Sequence, residues 1–334
     1  MIHNNIDFNK KTILITGGSG FIGSNLAFYF QENYPDSYVV VFDCFRSEAT
    51  FSNGNLQSFG HYNNLIGFTG DVVCGNINSK ADLALLDDYK FDYVFHQAAI
   101  SDTRVYDQEI VMRTNVNSFY DLLAKAKVDD AVMVYASSAA TYGSLPSPQT
   151  VGKENPENPY GFSKYMMDQI AYSFSDENPD MTIVGLKLFN VYGRREYYKA
   201  KTSSMVIQLG HQILSGNTPR LFEGSDQILR DFINIEDVIQ ANIKACNPKL
   251  NGVYNVGTGN PRSFQDIADI LQQELGTNLG TEYFPNPYDG YQMYTQADIS
   301  TSQTNFGFDP VVSLEEGIKD YIPEIKRLHG TDIS

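Results

Sequence analysis

The sequence predicts an α/β protein: a doubly wound parallel sheet that carries a smaller α/β lobe towards its C-terminal end. Three observations predict it. A β-branched run at residues 12–16 (TILIT) passes through the glycine turn GGSGFIG at 17–23 into an apolar helical pattern through Leu26 and Phe30. Strand-like and helical segments then alternate down to residue 188, as they do when parallel strands are joined by crossover helices. Beyond Asn190 the elements shorten and polar clusters multiply (NVYGRREYYKAKTSSM, LFEGSDQILRDF, VYNVGTGNPRSF, GYQMYTQADIS), marking a second, smaller unit. No repeat, heptad array or low-complexity tract interrupts the chain.

Composition sets the class. A chain of 334 residues that is 42% hydrophobic can bury a large core, as one large or two intimate domains. The net charge of −16 excludes a general affinity for nucleic acid or anionic membranes, because both are drawn to basic surfaces. Any anionic ligand therefore requires a local basic pocket. Cys44, Cys74 and Cys246 are widely spaced and odd in number, which fits free thiols in a reducing compartment, no zinc site and no other metal site. The N-terminal MIHNNIDFNKK holds no apolar signal core, and no run approaches the ~18 apolar residues of a membrane span; the expected location is the cytoplasm.

Gly18, Gly20 and Gly23 match G-x-G-x-x-G between a strand and a helix. Such glycines permit a tight turn, close approach to a pyrophosphate and packing of the helix, whose N-terminus faces the anion. This is the entry to a Rossmann-type sheet. The second strand, 38–42, ends at Asp43, placed to bond the adenosine ribose hydroxyls of NAD, while Arg46 three residues on suits the 2′-phosphate of NADP. Both forms stay open. Further strands fall at 66–73, 93–96 and 132–136, with helices at 80–89 and 109–127. Ligands lie beyond the carboxyl ends of such strands, so HQAAIS (96–101) and ASSAATYG (136–143), with Ser138, should line one cleft.

The stretch NPYGFSK at 158–164 supplies the chemistry. Asn158 is a favoured N-cap and Pro159 suits the first helical position, so a helix starts here with Tyr160 in its first turn and Lys164 four residues on. An ammonium on the same helix face can stabilise a phenolate that otherwise forms only near pH ~10. The same spacing recurs at Tyr197 and Lys201, where no capping signal precedes it. The helix runs to about residue 174 and a strand follows at 182–188. Residues 1–188 read as the cofactor domain, with 231–258 returning to it, and 189–334 mostly as a substrate lobe.

The GGSGFIG turn, Ser138, Tyr160 with Lys164, and NVYG at 190–193 together resemble the extended short-chain dehydrogenase/reductase family of nucleotide-sugar enzymes, the NAD-dependent epimerases and dehydratases. The resemblance covers nearly the whole chain. Sugar 4,6-dehydratases of that family carry an Asp-Glu pair where this chain has Ala139 and Ala140, which leaves no acid and base for elimination. The segments ASSAATYG, FNVYGRRE, RLFEGSDQILRDF, NVGTGNPRSFQDIAD and YTQADIS resemble members that act on ADP-heptose.

The implied activity is inversion at C6 of ADP-D-glycero-D-manno-heptose, giving a lipopolysaccharide inner-core precursor. NADP+ (alternatively NAD) removes hydride and returns it to the other face of the ketone. By the same resemblance Ser138, Tyr160 and Lys164 act on one face. A second lysine after N-V-Y-G acts on the other, directly matched by Lys199; because the stretch 196–205 is about three residues longer than the family pattern, Lys201 is the alternative. The cofactor contacts implied are Gly17, Gly18, Gly20, Phe21, Ile22, Gly23, Asp43, Arg46, Asn76, Ile77, Gln97, Ala98, Ala99, Ser101 and Asn115, together with Tyr160 and Lys164.

Substrate contacts implied are Asn190, Ser204, His211, Phe222, Glu223, Gly224, Ser225, Arg230 and Tyr291. Arg230 can grip a diphosphate bidentately, and Lys199, Lys201, Arg220 and Arg230 would supply the basic pocket. His211 shares a helical pattern with Met205 and Leu209, and reads equally as a structural residue; Tyr291 sits in an aromatic run that could serve packing. Homo-oligomerisation is implied too. Two other functions compete. A UDP-hexose 4-epimerase uses the same trio with a single base and rotation of the sugar, and LFEGS and TQADIS argue against it. A non-catalytic NADP-binding protein has no need of a proton-transfer trio.

Overall fold

In the computed structural model, which describes residues 3, 6–287 and 292–331, the elements follow the predicted alternation. The first half contains β1 (Thr12–Thr16), α1 (Phe21–Asn33), β2 (Tyr38–Asp43), β3 (Asp71–Cys74), α2 (Lys80–Leu83), β4 (Tyr93–His96), α3 (Gln108–Met112), α4 (Ser118–Asp129), β5 (Val132–Ser138), α5 (Pro159–Glu177) and β6 (Ile183–Leu188). The second half contains β7 (Asn190–Tyr192), α6 (Met205–Leu214), β8 (Arg220–Phe222), β9 (Leu229–Arg230), β10 (Phe232–Asn234), α7 (Ile235–Lys244), β11 (Gly252–Val256), β12 (Arg262–Ser263), α8 (Phe264–Leu275), β13 (Glu282–Phe284), α9 (Ser300–Phe306) and α10 (Leu314–Leu328).

Seven parallel strands form the main sheet in the order β11-β6-β5-β4-β1-β2-β3. The chain builds outwards from β1 to β3, then returns to β4 on the other side of β1. That reversal opens a crevice at the carboxyl ends of the central strands. The apolar, β-branched strands are covered on both faces, as parallel sheets require. One face packs α1 and α7 through residues such as Leu26, Phe30, Val238 and Ile239. The other packs α4 and α5 through Phe119, Leu122, Met167 and Ile170. A third cluster joins α6, α8 and α10 in the lobe.

Three predicted elements differ in detail. The strand expected at 66–73 covers only Asp71–Cys74, because its ladder begins where Asp71 meets Val40; Ile66, outside that pairing, is exposed. The helix expected at 80–89 is one α-turn, Lys80–Leu83, followed by a 3₁₀ turn, Ala84–Leu86. The helix expected at 109–127 is α3 and α4 joined by a π-turn, Arg113–Asn117, which turns Asn115 inwards. Among the described residues no helix is long and apolar enough to cross a membrane, and no cluster of His, Cys, Asp and Glu is arranged to hold a metal ion. The three cysteines are free.

Candidate active site

A cleft of about 550 Å³ lies over the crevice. Its floor begins at the glycine turn. Gly17 adopts φ 69°, and a Cβ there would stand 2.7 Å from the Ala98 amide nitrogen; a Cβ on Gly23 would stand 2.3 Å from the Gly17 carbonyl oxygen. The absence of side chains is what seats α1 on the turn. Gly20 caps α1 without any side-chain hydrogen bond, and Gly20, Phe21, Ile22 and Gly23 line the cleft, so the N-terminus of α1 offers a site that suits a pyrophosphate. The residues present therefore fit a dinucleotide.

Asp43 ends β2 at the cleft, where its carboxylate accepts the Ser19 and Phe45 amides at 2.9 Å each. Burial pushes its pKa up against those hydrogen bonds. Phe21, Ile22, Asn76, Ile77, Gln97, Ala98, Ala99 and Ser101 also line the cleft. Three expected cofactor residues stand back from it. Gly18 packs against Val41, and Arg46 donates to the Tyr198 carbonyl. Asn115 is fully buried; its amide donates to the Ile100 carbonyl and Ser163 Oγ at 2.9 Å each and accepts the Ile100 amide, tying α5 to the loop after β4.

At the end of β5, Ser138 shares a hydrogen bond with Tyr160. The Asn158 side chain accepts the Gly161 amide at 2.8 Å, fixing the first turn of α5 and with it Tyr160. Lys164 Nζ donates to the Ala136 carbonyl at 2.7 Å rather than to the phenol. Burial lowers the Lys164 pKa to about 8, opposed by the Asp168 charge. The Tyr160 phenol is held above its ordinary range by burial, opposed by Ser138. All three side chains line the cleft.

Beneath them lies a polar network that sequence reasoning missed. Asp168, one turn beyond Lys164, accepts from Lys187 Nζ at 2.6 Å and from Tyr135 Oη and Ser137 Oγ at 2.9 Å each. Lys187 also donates to Thr141 Oγ1 at 2.9 Å and stands 3.3 Å from Glu154. The pair is buried but hydrogen-bonded on every side, the condition under which a buried ion pair is tolerated. A lone lysine in the apolar strand TIVGLKL was the available signal.

The loop between β2 and β3 was equally invisible. Phe51, Gln57, Ser58, Phe59 and Gly60 close over the cleft, and buried Asp102 holds the loop by accepting the Asn53 and Asn55 amides.

Between β7 and α6 a 3₁₀ segment, Tyr197–Thr202, carries both candidate second bases. Its kink at Ala200 (φ 52°) separates them. Lys199 lines the cleft with Nζ 5.5 Å from the Phe21 ring centroid, and burial lowers its pKa against the Glu196 charge. Lys201 is exposed in a neighbouring depression.

Asn190 and Ser204 line the cleft with Lys199. The other expected substrate residues among the described ones do not. His211 is half-buried in the neighbouring depression, packed against Tyr197 and His329, with its pKa lowered by burial. Phe222 packs on Phe284, Ser225 is buried, and Glu223 and Gly224 occupy an exposed turn. Arg220 pairs with Glu282 at 3.1 Å. Arg230 donates to the Leu229 and Gln292 carbonyls and lies against Phe264, itself a cleft residue, so its guanidinium stands one layer behind. Of the expected basic group, Lys199 alone lines the cleft. Tyr291 lies outside the described residues.

A dinucleotide-binding sheet with Ser, Tyr and Lys gathered at one cleft defines a nicotinamide-dependent enzyme class, and the chain belongs to the NAD dependent epimerase/dehydratase family, whose model matches residues 13–257. It is 34% identical over 326 residues to an ADP-L-glycero-D-manno-heptose-6-epimerase of Brachyspira hyodysenteriae, covering 95% of this chain and 99% of that protein. The crystal structure of the Helicobacter pylori ADP-L-glycero-D-manno-heptose-6-epimerase superposes with a TM-score of 0.89 at 47% identity, over 98% of this chain and 99% of that one. A UDP-glucose 4-epimerase of Thermotoga maritima, solved with UDP-glucose, gives a TM-score of 0.84 at 26% identity, over 95% and 99%.

Proposed function

We propose that this cleft inverts C6 of the heptose of ADP-D-glycero-D-manno-heptose, producing ADP-L-glycero-D-manno-heptose, a precursor of the lipopolysaccharide inner core. The observation that carries the reading is that Lys199 and Tyr160, proton-handling groups on different elements, line one cleft. Relatives named for this reaction support the choice of sugar. Bound nicotinamide supplies a hydride acceptor that becomes the donor when the hydride returns, so no net redox occurs.

The chain's own residues do the rest. Tyr160 takes or gives the hydroxyl proton at one face, with Ser138 fixing its Oη. Lys164 donates one ammonium proton to the Ala136 carbonyl; its remaining donors would be available to hold the cofactor ribose, and its charge lowers the cost of a phenolate. Lys199 handles the proton at the other face, its free-base form favoured by burial. Asn190 and Ser204, which line the cleft, orient the sugar; His211, Phe222, Glu223, Gly224, Ser225 and Arg230 stand outside that lining and take no part in the proton transfers. Residues 1–188, with 231–258, thus serve the cofactor and 189–334 mostly the sugar. The exposed Tyr120 and Val128 of α4, and Phe162 and Tyr172 of α5, offer a face for self-association, which sedimentation of the pure protein would register.

The cofactor form in this reading is NADP. It requires the Arg46 guanidinium to turn from the Tyr198 carbonyl to a 2′-phosphate; the buried Asp43 carboxylate, which suits a ribose diol, favours NAD as the second reading. Arg46→Ala should weaken NADP at least ~10-fold more than NAD, on the scale of one charged hydrogen bond. Equal weakening, read by fluorescence titration, means that Arg46 does not select the cofactor. A proton NMR time course with the ADP-heptose beside UDP-glucose tests the sugar: turnover of UDP-glucose alone would install the 4-epimerase reading instead.

A further inference from the structure

The loop that delivers Lys199 is fastened by one carboxylate. Glu196 is fully buried, and its Oε1 accepts the Gly193 amide at 3.2 Å and Ser204 Oγ at 2.7 Å. Its Oε2 accepts the Ser204 amide at 2.7 Å. Gly193 precedes the loop and Ser204 ends it, so both ends meet at Glu196 with Lys199 between them. Within the loop the Lys199 amide donates to the Glu196 carbonyl at 2.9 Å, and the Ala200 kink follows at once.

Burial pushes the Glu196 pKa up, opposed by the Lys199 charge and by the Ser204 and Gly193 hydrogen bonds; these contacts to the carboxylate are all donors, an arrangement that suits the ionised form, since a protonated oxygen would meet N–H or O–H groups head on. The titratable neighbours are few. Lys199 faces Glu196 from its own loop, while Tyr192 of β7 and Tyr321 of α10 face it from the lobe. Burial, reinforced by the Glu196 charge, keeps both phenols neutral. Tyr160 and Lys164 line the same cleft as Lys199.

We propose that Glu196 is the positioning residue for Lys199: its carboxylate closes the loop so that the lysine enters the cleft, and supplies the negative charge that the ammonium meets there. Removing that charge while keeping the shape frees the ammonium to lose its proton at lower pH, because burial then acts unopposed. The inference rests on Lys199 as the second proton-transfer group, and its test separates the two.

Competitive acylation of lysines over about pH 6 to 10, read at Lys199 by mass spectrometry, reports the half-modification pH whether or not Lys199 serves catalysis. Glu196→Gln should lower that pH by on the order of one unit, and shift the corresponding limb of the pH–rate profile acidward with it. Glu196→Asp, which keeps the charge on a shorter arm, should leave the half-modification pH within about half a unit of native while turnover falls. An unshifted or raised half-modification pH in Glu196→Gln overturns the proposal; if that variant does not accumulate folded, a full-unit drop in Glu196→Asp overturns it instead. Normal turnover in Lys199→Met, with the labelling shift intact, would remove only the catalytic role of Lys199.

Discussion

Replacing Tyr160 by phenylalanine should lower kcat at least ~10²-fold while the protein still binds its cofactor, the usual scale for losing a general acid and base. That factor corresponds to about 2.7 kcal/mol of transition-state stabilisation. The fold should survive, because the ring stays in its buried place and the loss is one hydrogen bond to Ser138, worth about 1 kcal/mol. Cofactor uptake should persist because the glycine turn and the first turn of α1 offer backbone N–H groups that the substitution leaves alone. Near-normal turnover would take Tyr160 out of the reaction. The native enzyme should also lose activity as pH rises through about 8, where Lys164 gives up the charge that supports the phenolate.

Lys199→Met and Lys201→Met should differ sharply. Methionine keeps much of the length and apolar contact of lysine without the amine. At Lys199 it removes a proton carrier from the cleft, and kcat should fall by ~10² or more. At Lys201, exposed beyond the Ala200 kink, the change should stay within about twofold, as surface substitutions usually do. KM should move little in either variant if the sugar is held by Asn190 and the lobe. If both variants turn over normally, the second face is served by another group, and the single-base alternative gains ground.

The residues that were legible in the sequence are those whose chemistry is local. The glycine turn declares itself through spacing between a strand and a helix, and the start of α5 through Asn158 and Pro159 placed against Tyr160 and Lys164. What escaped depends on partners far along the chain. Asp168 acquires its role only because β6 brings Lys187 to it, and Asp102 only because the loop after β2 folds back onto it. Glu196 looked like one more charge in a polar stretch until the chain returned Ser204 to it.

Arg230 shows the converse. Its residue type suits a diphosphate, yet its direction is set by the Gln292 carbonyl, 62 positions away, which no local pattern announces. The β3 boundary shifted for a similar reason: strand length there is decided by where the ladder with β2 begins, and the apolar run continued before it.

Returning hydride to the carbon it left, with protons exchanged only at oxygen, is the centre of this account. The most direct measurement is a proton NMR time course of cofactor-replete protein with ADP-D-glycero-D-manno-heptose in deuterium oxide, without added reductant. The expected result is conversion to the C6 epimer with the original hydrogen retained at C6 and no net change in the cofactor. Deuterium appearing at C6, or a heptose left unchanged by fully loaded protein, would contradict it.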